Sequence, residues 1–295
     1  MKYYLSGGMP EWLSRVANQH AIPRLASFAY PKEAEKLMAV ADEDGVRLDV
    51  MLDSGAFTVW NSGGEVSMDD LMHHYEDLVE RFGDRHNIVL ISLDKIPGER
   101  GRIPSKEEVA KAVETSIANY HVMRARLPRP VLPVYHAGEE PWVLDEYTRC
   151  TDYVAFGISQ TLSGKARLEA AMRMQRPGLK VHGLATTSTR MMRHVDWYSV
   201  DSSTWAMAAA MGNILWHTPW GIRQVSVSNE SPRRYEAGRH VANMTERPQF
   251  EAAFKAAGFS LEELAESHDK RREWNVVALK GYDPAKNILP VEGFF

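Results

Sequence analysis

The stretches Lys180-Val-His-Gly-Leu-Ala-Thr186 and Trp197-Tyr-Ser-Val-Asp201, with a helical run between them, show the pattern that organises the chain. An apolar run ends in a small loop, a helix follows, and the next apolar run delivers a carboxylate at its end. The same pattern occurs upstream in Leu48-Asp-Val-Met-Leu-Asp53 and in Asn87-Ile-Val-Leu-Ile-Ser-Leu-Asp94. Three carboxylates, each at the C-terminal end of a strand with a buried pattern, predict one shared site.

Eight units of a strand followed by a helix precede residue 219, and they predict an α/β fold of the (β/α)8 TIM-barrel type. The predicted strands span residues 1–6, 24–30, 48–53, 87–94, 130–136, 153–158, 180–184 and 197–201. They are short, nearly continuous apolar runs, as is typical of parallel strands buried on both faces. In such a barrel the functional groups lie at the C-terminal ends of the strands. A doubly wound open sheet is the alternative, although no Gly-x-Gly-x-x-Gly motif follows the first strand.

Local signals mark several helix starts and one change of organisation. Pro31 opens a helix, Ser67 is a candidate N-cap, and Ser105-Lys-Glu-Glu108 has the pattern of a capping box. The alternation of strands and helices ends near residue 218. We therefore predict a barrel at residues 1–218 and a C-terminal extension, packed on the barrel, at residues 219–295.

Composition limits the class of protein. The chain has 295 residues, of which 44% are hydrophobic and 25% are charged, an ordinary globular composition. Its one cysteine, Cys150, excludes a disulfide framework and a multi-cysteine zinc site, and it fits a reducing compartment. No apolar run approaches the ~18 residues of a membrane span, so we expect a cytoplasmic protein without membrane contact.

The net charge of −4 argues against a generally basic surface for nucleic acid. Between residues 160 and 240, however, eleven Lys and Arg stand against five Asp and Glu. These basic residues are either solvated helix positions or a local basic face, and the sequence leaves both interpretations open.

The aspartates suggest a chemistry. A single aspartate at a strand end often only caps the following helix or holds a loop. Two carboxylates in a partly enclosed site divide between nucleophile and general acid/base, because burial and mutual repulsion separate their pKa values. The same division of roles cleaves glycosidic bonds. Cleavage of a C–N or C–O glycosidic bond is therefore one hypothesis for this site.

The residues around these aspartates resemble the tRNA-guanine transglycosylases. Asp53-Ser-Gly-Ala-Phe57 resembles that family's Asp-Ser-Gly-Gly-Phe element, and other motifs follow in the same order over roughly residues 48–205. Ser92-Leu-Asp94 resembles its Asp-bearing strand, Phe156-Gly-Ile-Ser159 its Gly-Gly-Leu loop, His182-Gly-Leu-Ala185 its Met-Gly-Val-Gly turn, and Val200-Asp201 its Phe-Asp nucleophile strand.

The resemblance implies a base-exchange reaction. Asp201 would attack the anomeric carbon, guanine would leave, and a 7-deazaguanine base would take its place. Asp53 would be the general acid/base, and Asp94 would accept hydrogen bonds from the purine N1–H and exocyclic amine, as a carboxylate can. No cofactor and no metal are implied. The other expected substrate-binding residues are Ser54, Phe57, His136, Gly157, Ile158 and Gly183.

Departures from the family motifs point to its branch that acts on DNA. The family's Cys-rich zinc motif is absent, His136-Ala-Gly138 stands where a Gln-Gly pair is expected, and Lys95 follows Asp94 where the family has an acidic residue. The chain is similar to DpdA-type DNA-guanine transglycosylases of phages and bacterial DNA-modification clusters. Such enzymes place derivatives such as 7-cyano-7-deazaguanine (preQ0) in DNA, which protects it from restriction. The implied partners are DNA and the free base, in the cytoplasm of a bacterial or phage-infected cell; self-association remains open.

A duplex base must leave the stack before chemistry, so stacking and phosphate contacts are expected. The candidate stacking residues are Tyr135, Phe57, Trp60 and Trp205, with core packing as the alternative for each. The candidate phosphate contacts are Arg190, Arg193, Arg223, Arg233, Arg234 and Arg239. Three other functions stay open: a tRNA enzyme with the same mechanism, a barrel glycoside hydrolase, and a non-catalytic nucleic-acid-binding subunit.

Overall fold

The computed structural model describes residues 1–99, 101–157, 162–218, 221–236 and 238–280. They form two compact units, one of residues 2–202 and one that contains Met1 and the chain from Ser203 onward. The first unit is called the barrel unit below, and the other the C-terminal unit. Among the described residues, no helix has both the length and the apolar character that crossing a membrane requires.

The barrel unit is built from parallel strands with helices between them. Its parallel strands are β1 (Lys2–Ser6), β2 (Arg24–Ser27), β3 (Asp49–Asp53), β4 (Asn87–Ile91), β5 (Val131–Leu132), β6 (Val134–His136), β7 (Tyr153–Gly157), β8 (Lys180–Gly183) and β9 (Ser199–Ser202). Its helices are α1 (Glu11–Gln19), α2 (Pro31–Glu43), α3 (Ala56–Asn61), α4 (Met68–Phe82), α5 (Lys106–Arg126), α6 (Pro141–Thr148), α7 (Gly164–Arg173) and α8 (Thr189–His194). The predicted barrel of strands and helices is confirmed.

Pro133 explains why nine strand segments appear where eight strands were predicted. It separates β5 from β6, because proline has no N–H to donate to the ladder. The sheet order is β5-β4-β3-β2-β1-β9-β8-β7-β6, so β5 pairs with β4 and β6 pairs with β7. The carbonyl of Pro133 still accepts the N–H of Ala155 at 2.9 Å. Because β5 and β6 are consecutive parts of one strand, the two ends of the sheet meet in a nearly closed barrel.

Helix starts follow the local signals. Pro31 is the first residue of α2, the Ser67 side chain accepts the N–H of Asp70, and Ser105 and Glu108 form a complete capping box at α5.

Inside the barrel, buried side chains fill the space between the strands. They are Tyr4, Leu25, Met51, Ile91, Leu132, Val134 and Ala155.

The C-terminal unit begins earlier than the predicted boundary at residue 218. It contains α9 (Thr204–Ala210), the antiparallel pair β10 (Asn213–Thr218) and β11 (Gly221–Ser226), α10 (Arg247–Ala256), α11 (Leu261–Glu266) and α12 (His268–Ala278). Side chains near the boundary account for the difference. Ile214 belongs to the core of this unit, and the Asn275 side chain bonds both the Leu215 N–H and the Trp205 carbonyl.

Candidate functional site

The three aspartates lie at the C-terminal end of the barrel. Asp53 is the last residue of β3, Asp201 is the third residue of β9, and Asp94 follows the end of β4 by three residues. All of these strands are parallel, so their C-terminal ends open on the same side of the unit. The sequence-predicted grouping of these residues at one end of a barrel is therefore found in the structure.

Asp53 is held by a tight loop. Its Oδ2 accepts the N–H of Gly55 at 3.1 Å, and its backbone carbonyl accepts the N–H of Phe28 at 2.8 Å. Gly55 has a φ of 73°, and a Cβ there would lie 2.6 Å from the Ala29 nitrogen. Only glycine meets both conditions without strain, so the Asp-Ser-Gly sequence is what fixes the Asp53 carboxylate.

Burial raises the pKa of Asp53 from 3.8 to about 6. A hydrogen bond from Ser27 and the N–H of Gly55 oppose this rise, while the negative charges of Asp94 and Asp201 add to it. These two charges act on Asp53 because the three carboxylates share one environment. A carboxyl group with this pKa can both release and take up a proton near neutral pH.

Asp201 is buried and is anchored through one oxygen. Its Oδ1 accepts the N–H of Ala185 at 2.8 Å and lies 3.4 Å from Nε2 of His182. Ala185 has a φ of 48°, in the left-handed region that favours glycine, and this conformation aims its N–H at the carboxylate. Both contacts that the structure describes for this carboxylate go to Oδ1. Oδ1 is therefore the anchored oxygen, and Oδ2 takes part in neither of these contacts.

His136 links Asp94 to a second carboxylate. Its Nε2 lies 3.0 Å from Asp94 Oδ2 and its Nδ1 lies 3.0 Å from Glu139 Oε1. Burial lowers the pKa of His136, but Glu139 and Asp94 outweigh burial and raise it to about 10. The ring is therefore an imidazolium at neutral pH, with each N–H donated to a carboxylate, and Asp94 is held in one orientation.

Gly157 makes room for His136. A Cβ on Gly157 would lie 2.5 Å from Cδ2 of the His136 ring, and the Gly157 carbonyl accepts the N–H of Ala137 at 3.1 Å. Gly157 was expected to offer a backbone group to the purine, and its carbonyl already accepts this one hydrogen bond. Ile158, expected beside it, lies outside the described residues.

Ser54, Gly183 and Phe57 differ in their surroundings. Ser54 is buried, and its hydroxyl accepts the N–H of Ala56 at 3.4 Å. A Cβ on Gly183 would meet the Trp197 ring at 3.0 Å, so packing alone accounts for this glycine. Phe57 in α3 is half exposed, which leaves its ring accessible.

Two of the four candidate stacking residues are core residues instead. Tyr135 is buried and donates its hydroxyl to the Glu139 carbonyl at 2.8 Å. Trp205 is fully buried, and the Arg272 guanidinium lies 5.6 Å from its ring centre. The stacking role expected for these two is wrong, because neither ring can reach a base. Trp60 is partly buried, donates to the Gly98 carbonyl at 3.0 Å, and lies with its ring centre 6.1 Å from that of Phe57.

The six candidate arginines divide between the two units. Arg190 and Arg193 are exposed on α8 of the barrel unit, and Arg190 lies in the first turn, which follows β8 at the C-terminal end of the barrel. The other four are exposed in the C-terminal unit, where their contacts differ. Arg223 lies 4.0 Å from Glu246, Arg239 lies 3.5 Å from Glu236, Arg234 donates to the Asn229 carbonyl at 3.1 Å, and the backbone N–H of Arg233 donates to the Ser231 hydroxyl at 3.2 Å.

Three residues at this site were not predicted: Glu139, His182 and Ser199. Neighbours in register point to the same face of a sheet. His182 is in register with the interior residue Ala155 and with Ser199, and Asp201 is in register with the interior residue Tyr4. The alternation of Ser199 and Asp201 along β9 was the available signal that Ser199 lies beneath the aspartate.

Among the described residues, no three His, Cys, Asp or Glu side chains are arranged so that they could hold a metal ion.

No protein-family model matches the chain, and no curated protein matches it. Among solved structures, the chain is similar to D-psicose 3-epimerase from Clostridium cellulolyticum H10, whose crystals contained D-tagatose. The similarity covers 71% of this chain and 80% of that one, at 14% identity and a TM-score of 0.38. This likeness is too distant to bear on the chemistry of the site.

Proposed function

We propose that the barrel unit exchanges bases in DNA, replacing guanine with a 7-deazaguanine derivative such as 7-cyano-7-deazaguanine. One observation carries the proposal: Asp53, Asp94 and Asp201 lie at the same C-terminal end of the barrel, where burial and the charges of the other two raise the pKa of Asp53 to about 6. The ordered motifs from Asp53 to Asp201 support it. The positive φ of Ala185 supports it too, since the resembled family has glycine at that position.

In the first step, Oδ2 of Asp201 attacks the anomeric carbon of the nucleotide. The electron pair of the breaking C–N bond goes to the departing guanine, which takes a proton from Asp53. Positive charge develops on the sugar as the bond breaks. The carboxylates around it stabilise this charge in surroundings from which water is largely excluded.

In the second step, the incoming base attacks the same carbon and the bond to Asp201 breaks. The electron pair of that bond returns to Asp201 as a carboxylate, and Asp53 accepts the proton that the incoming base loses. Two displacements at one carbon retain its configuration. Asp53 thus ends the cycle protonated, as it began.

Asp94 is the group that recognises the base in this proposal. His136 occupies one side of its carboxylate, and the remaining lone pairs accept the purine N1–H and exocyclic amine. Both N–H groups of His136 are already donated to carboxylates, so the base carbonyl gains no donor from this ring. In this proposal, selection of the base therefore depends mainly on the hydrogen bonds that its N1–H and its exocyclic amine donate to Asp94.

DNA is the proposed polymer. Phe57 is exposed in the loop-helix segment that follows Asp53, where an extruded base could stack on it. Arg190 follows β8 at the same end of the barrel and could contact a phosphate. The product would be DNA that restriction enzymes cleave poorly, like the product of the phage and bacterial enzymes that this chain resembles in sequence.

The test uses duplex DNA and tRNA, each carrying radiolabelled guanine, with and without added 7-cyano-7-deazaguanine. We expect release of many labelled guanines per protein from DNA, which depends on the added base and is lost in Asp201→Asn and Asp53→Asn. Asp84→Asn, a fully exposed aspartate of the barrel unit, is the matched control. Release from tRNA alone would assign the tRNA reaction, and release of more than one guanine per protein without an added base would assign a glycoside hydrolase.

A further inference from the structure

A line of buried polar side chains lies behind Asp201, inside the barrel. Nδ1 of His182 lies 2.7 Å from the Ser199 hydroxyl, which lies 2.6 Å from the hydroxyl of Tyr153. His182 and Ser199 are fully buried, and Tyr153 is partly buried. The line therefore runs from the aspartate at the C-terminal end of the barrel to Tyr153, the first residue of β7.

For a neutral His182 ring, the hydrogens along this line have one consistent arrangement. Nε2 of His182 has no partner at ordinary hydrogen-bond geometry, yet it lies 3.4 Å from Asp201 Oδ1. A proton on Nδ1 would leave a buried lone pair facing the carboxylate, which is unfavourable. With the proton on Nε2, Nδ1 accepts from Ser199, Ser199 accepts from Tyr153, and each hydrogen points toward Asp201.

Asp201, His182 and Ser199 are the residue types of a nucleophilic triad, but Ser199 cannot act as the nucleophile of one here. Its hydroxyl is fully buried among the strands, and its neighbours are His182 on one side and Tyr153 on the other. A triad serine must reach a substrate carbonyl. The line therefore ends at Asp201, the group that meets the sugar in the proposed function.

We propose that His182 is a positioning residue for Asp201, with Ser199 and Tyr153 fixing its Nε2–H tautomer. This inference rests on the proposed function, in which Asp201 forms a bond to the sugar through Oδ2. The N–H of His182 stabilises the free carboxylate more than the ester, because the ester oxygen Oδ1 carries less charge. His182 therefore assists the second step, in which Asp201 leaves as a carboxylate, and prevents the covalent intermediate from accumulating. The 3.4 Å contact shortens in the reacting complex, as such contacts often do.

The kinetic test separates the two steps by rapid quenching, with labelled guanine release reporting the first and decay of the protein–DNA adduct reporting the second. In His182→Leu we expect guanine release within about twofold of wild type, adduct decay slowed at least about tenfold, and visible adduct accumulation. His182→Gln, whose amide can donate from nearly the same place, restores most of the decay rate. Ser199→Ala gives an intermediate effect, because the tautomer is no longer fixed.

His86→Leu is the matched control, since His86 is a buried histidine of the barrel unit outside the site. It should destabilise the protein without changing the ratio of the two rates. Equal slowing of both steps in His182→Leu, without adduct accumulation, would overturn the proposal and leave a structural role. If wild-type protein forms neither adduct nor exchanged DNA, the proposed function itself fails.

A second measurement reports the tautomer of His182 and does not depend on the catalytic activity of the protein. Histidine-selective 15N NMR should show a neutral ring protonated at Nε2 whose signals disappear in His182→Gln and change in Ser199→Ala. A ring protonated at Nδ1 would contradict the inference, whatever reaction the protein catalyses.

Discussion

At the scale of single residues, Asp53 and His136 have pKa values well above those of the free side chains. Burial and two neighbouring negative charges raise the pKa of Asp53 to about 6, so folding favours its neutral form. Two carboxylates raise the pKa of His136 to about 10 in spite of burial, so folding favours its charged form. Asp53 could be singled out from the sequence by its strand-end position. The charge state of His136 could not, because Glu139 approaches it through a loop that no periodic pattern describes.

Asp53→Asn should make the protein more stable near neutral pH. In the wild type, the unfolded chain loses the Asp53 proton near its usual pKa of 3.8 and the folded chain only near 6, so stability falls as pH rises between these values. The loss is at most about 3 kcal/mol, and the uncharged asparagine avoids it. Urea unfolding of the wild type and the variant at about pH 3.5 and about pH 7.5 measures this loss of stability, with Asp84→Asn as the control. A variant no more stable than wild type at the higher pH would argue against this environment.

His136→Gln should remove stability that depends on an imidazolium. The contribution of His136 is complete below its usual pKa of 6.5 and is lost as pH rises through about 10. At pH 6.5 we expect the variant to be less stable, by somewhat less than the about 3–5 kcal/mol typical of a fully buried pair. Between pH 6.5 and 9.5, wild-type stability should fall more steeply than that of the variant. Parallel slopes over this interval would contradict the assignment.

At the scale of elements, the strand ends position the site residues. The loops that follow them supply the backbone N–H groups that hold the Asp53 and Asp201 carboxylates. The helix starts at Pro31, Ser67 and Ser105 could be predicted because they depend on residues within one turn. The division of one predicted strand at Pro133 also has a local cause, the missing N–H of proline. The contact of Gly157 with the His136 ring joins two strands, and no single-strand pattern contains that information.

Gly157→Ala should disturb the end of β7 and the orientation of Asp94. A Cβ 2.5 Å from Cδ2 of His136 forces the ring to move, at a cost of about 1–3 kcal/mol. We expect weaker binding of the incoming base, measured as a raised KM for 7-cyano-7-deazaguanine.

Gly164→Ala is the matched control, because a Cβ on this first residue of α7 meets nothing within 4 Å. It should be neutral or slightly stabilising. If both variants behave alike, packing of Gly157 against His136 does not hold Asp94 in place.

At the scale of the whole chain, the alternation of apolar runs and helices was enough to predict the barrel. It was not enough to find where the barrel unit ends. Residues 203–218 continue the strand-helix alternation, yet they belong to the C-terminal unit. Leu215 and Trp205 are tied to Asn275, and a hydrogen bond across 60 or 70 residues leaves no trace in a local pattern.

The net charge of −4 predicts that DNA binding depends on few phosphate contacts. The affinity for DNA should therefore fall only modestly with salt, with a slope of about −0.9 per phosphate contact on a double-logarithmic plot. Replacing Arg190 and Arg193 by Gln should reduce that slope by about 2. Arg149→Gln is the control, because Arg149 follows the end of α6 at the opposite end of the barrel and is largely exposed. An unchanged slope in the double variant would remove α8 from the DNA-binding surface.

The central claim is that Asp201 forms a covalent bond with the sugar. The most direct test is to mix the protein with guanine-containing DNA, quench in acid without added base, and locate the linked DNA by peptide mass spectrometry. We predict an adduct on the peptide that contains Asp201, absent in Asp201→Asn, which disappears as 7-cyano-7-deazaguanine enters the DNA. An adduct that survives in Asp201→Asn, or base exchange without any adduct in the wild type, would contradict it.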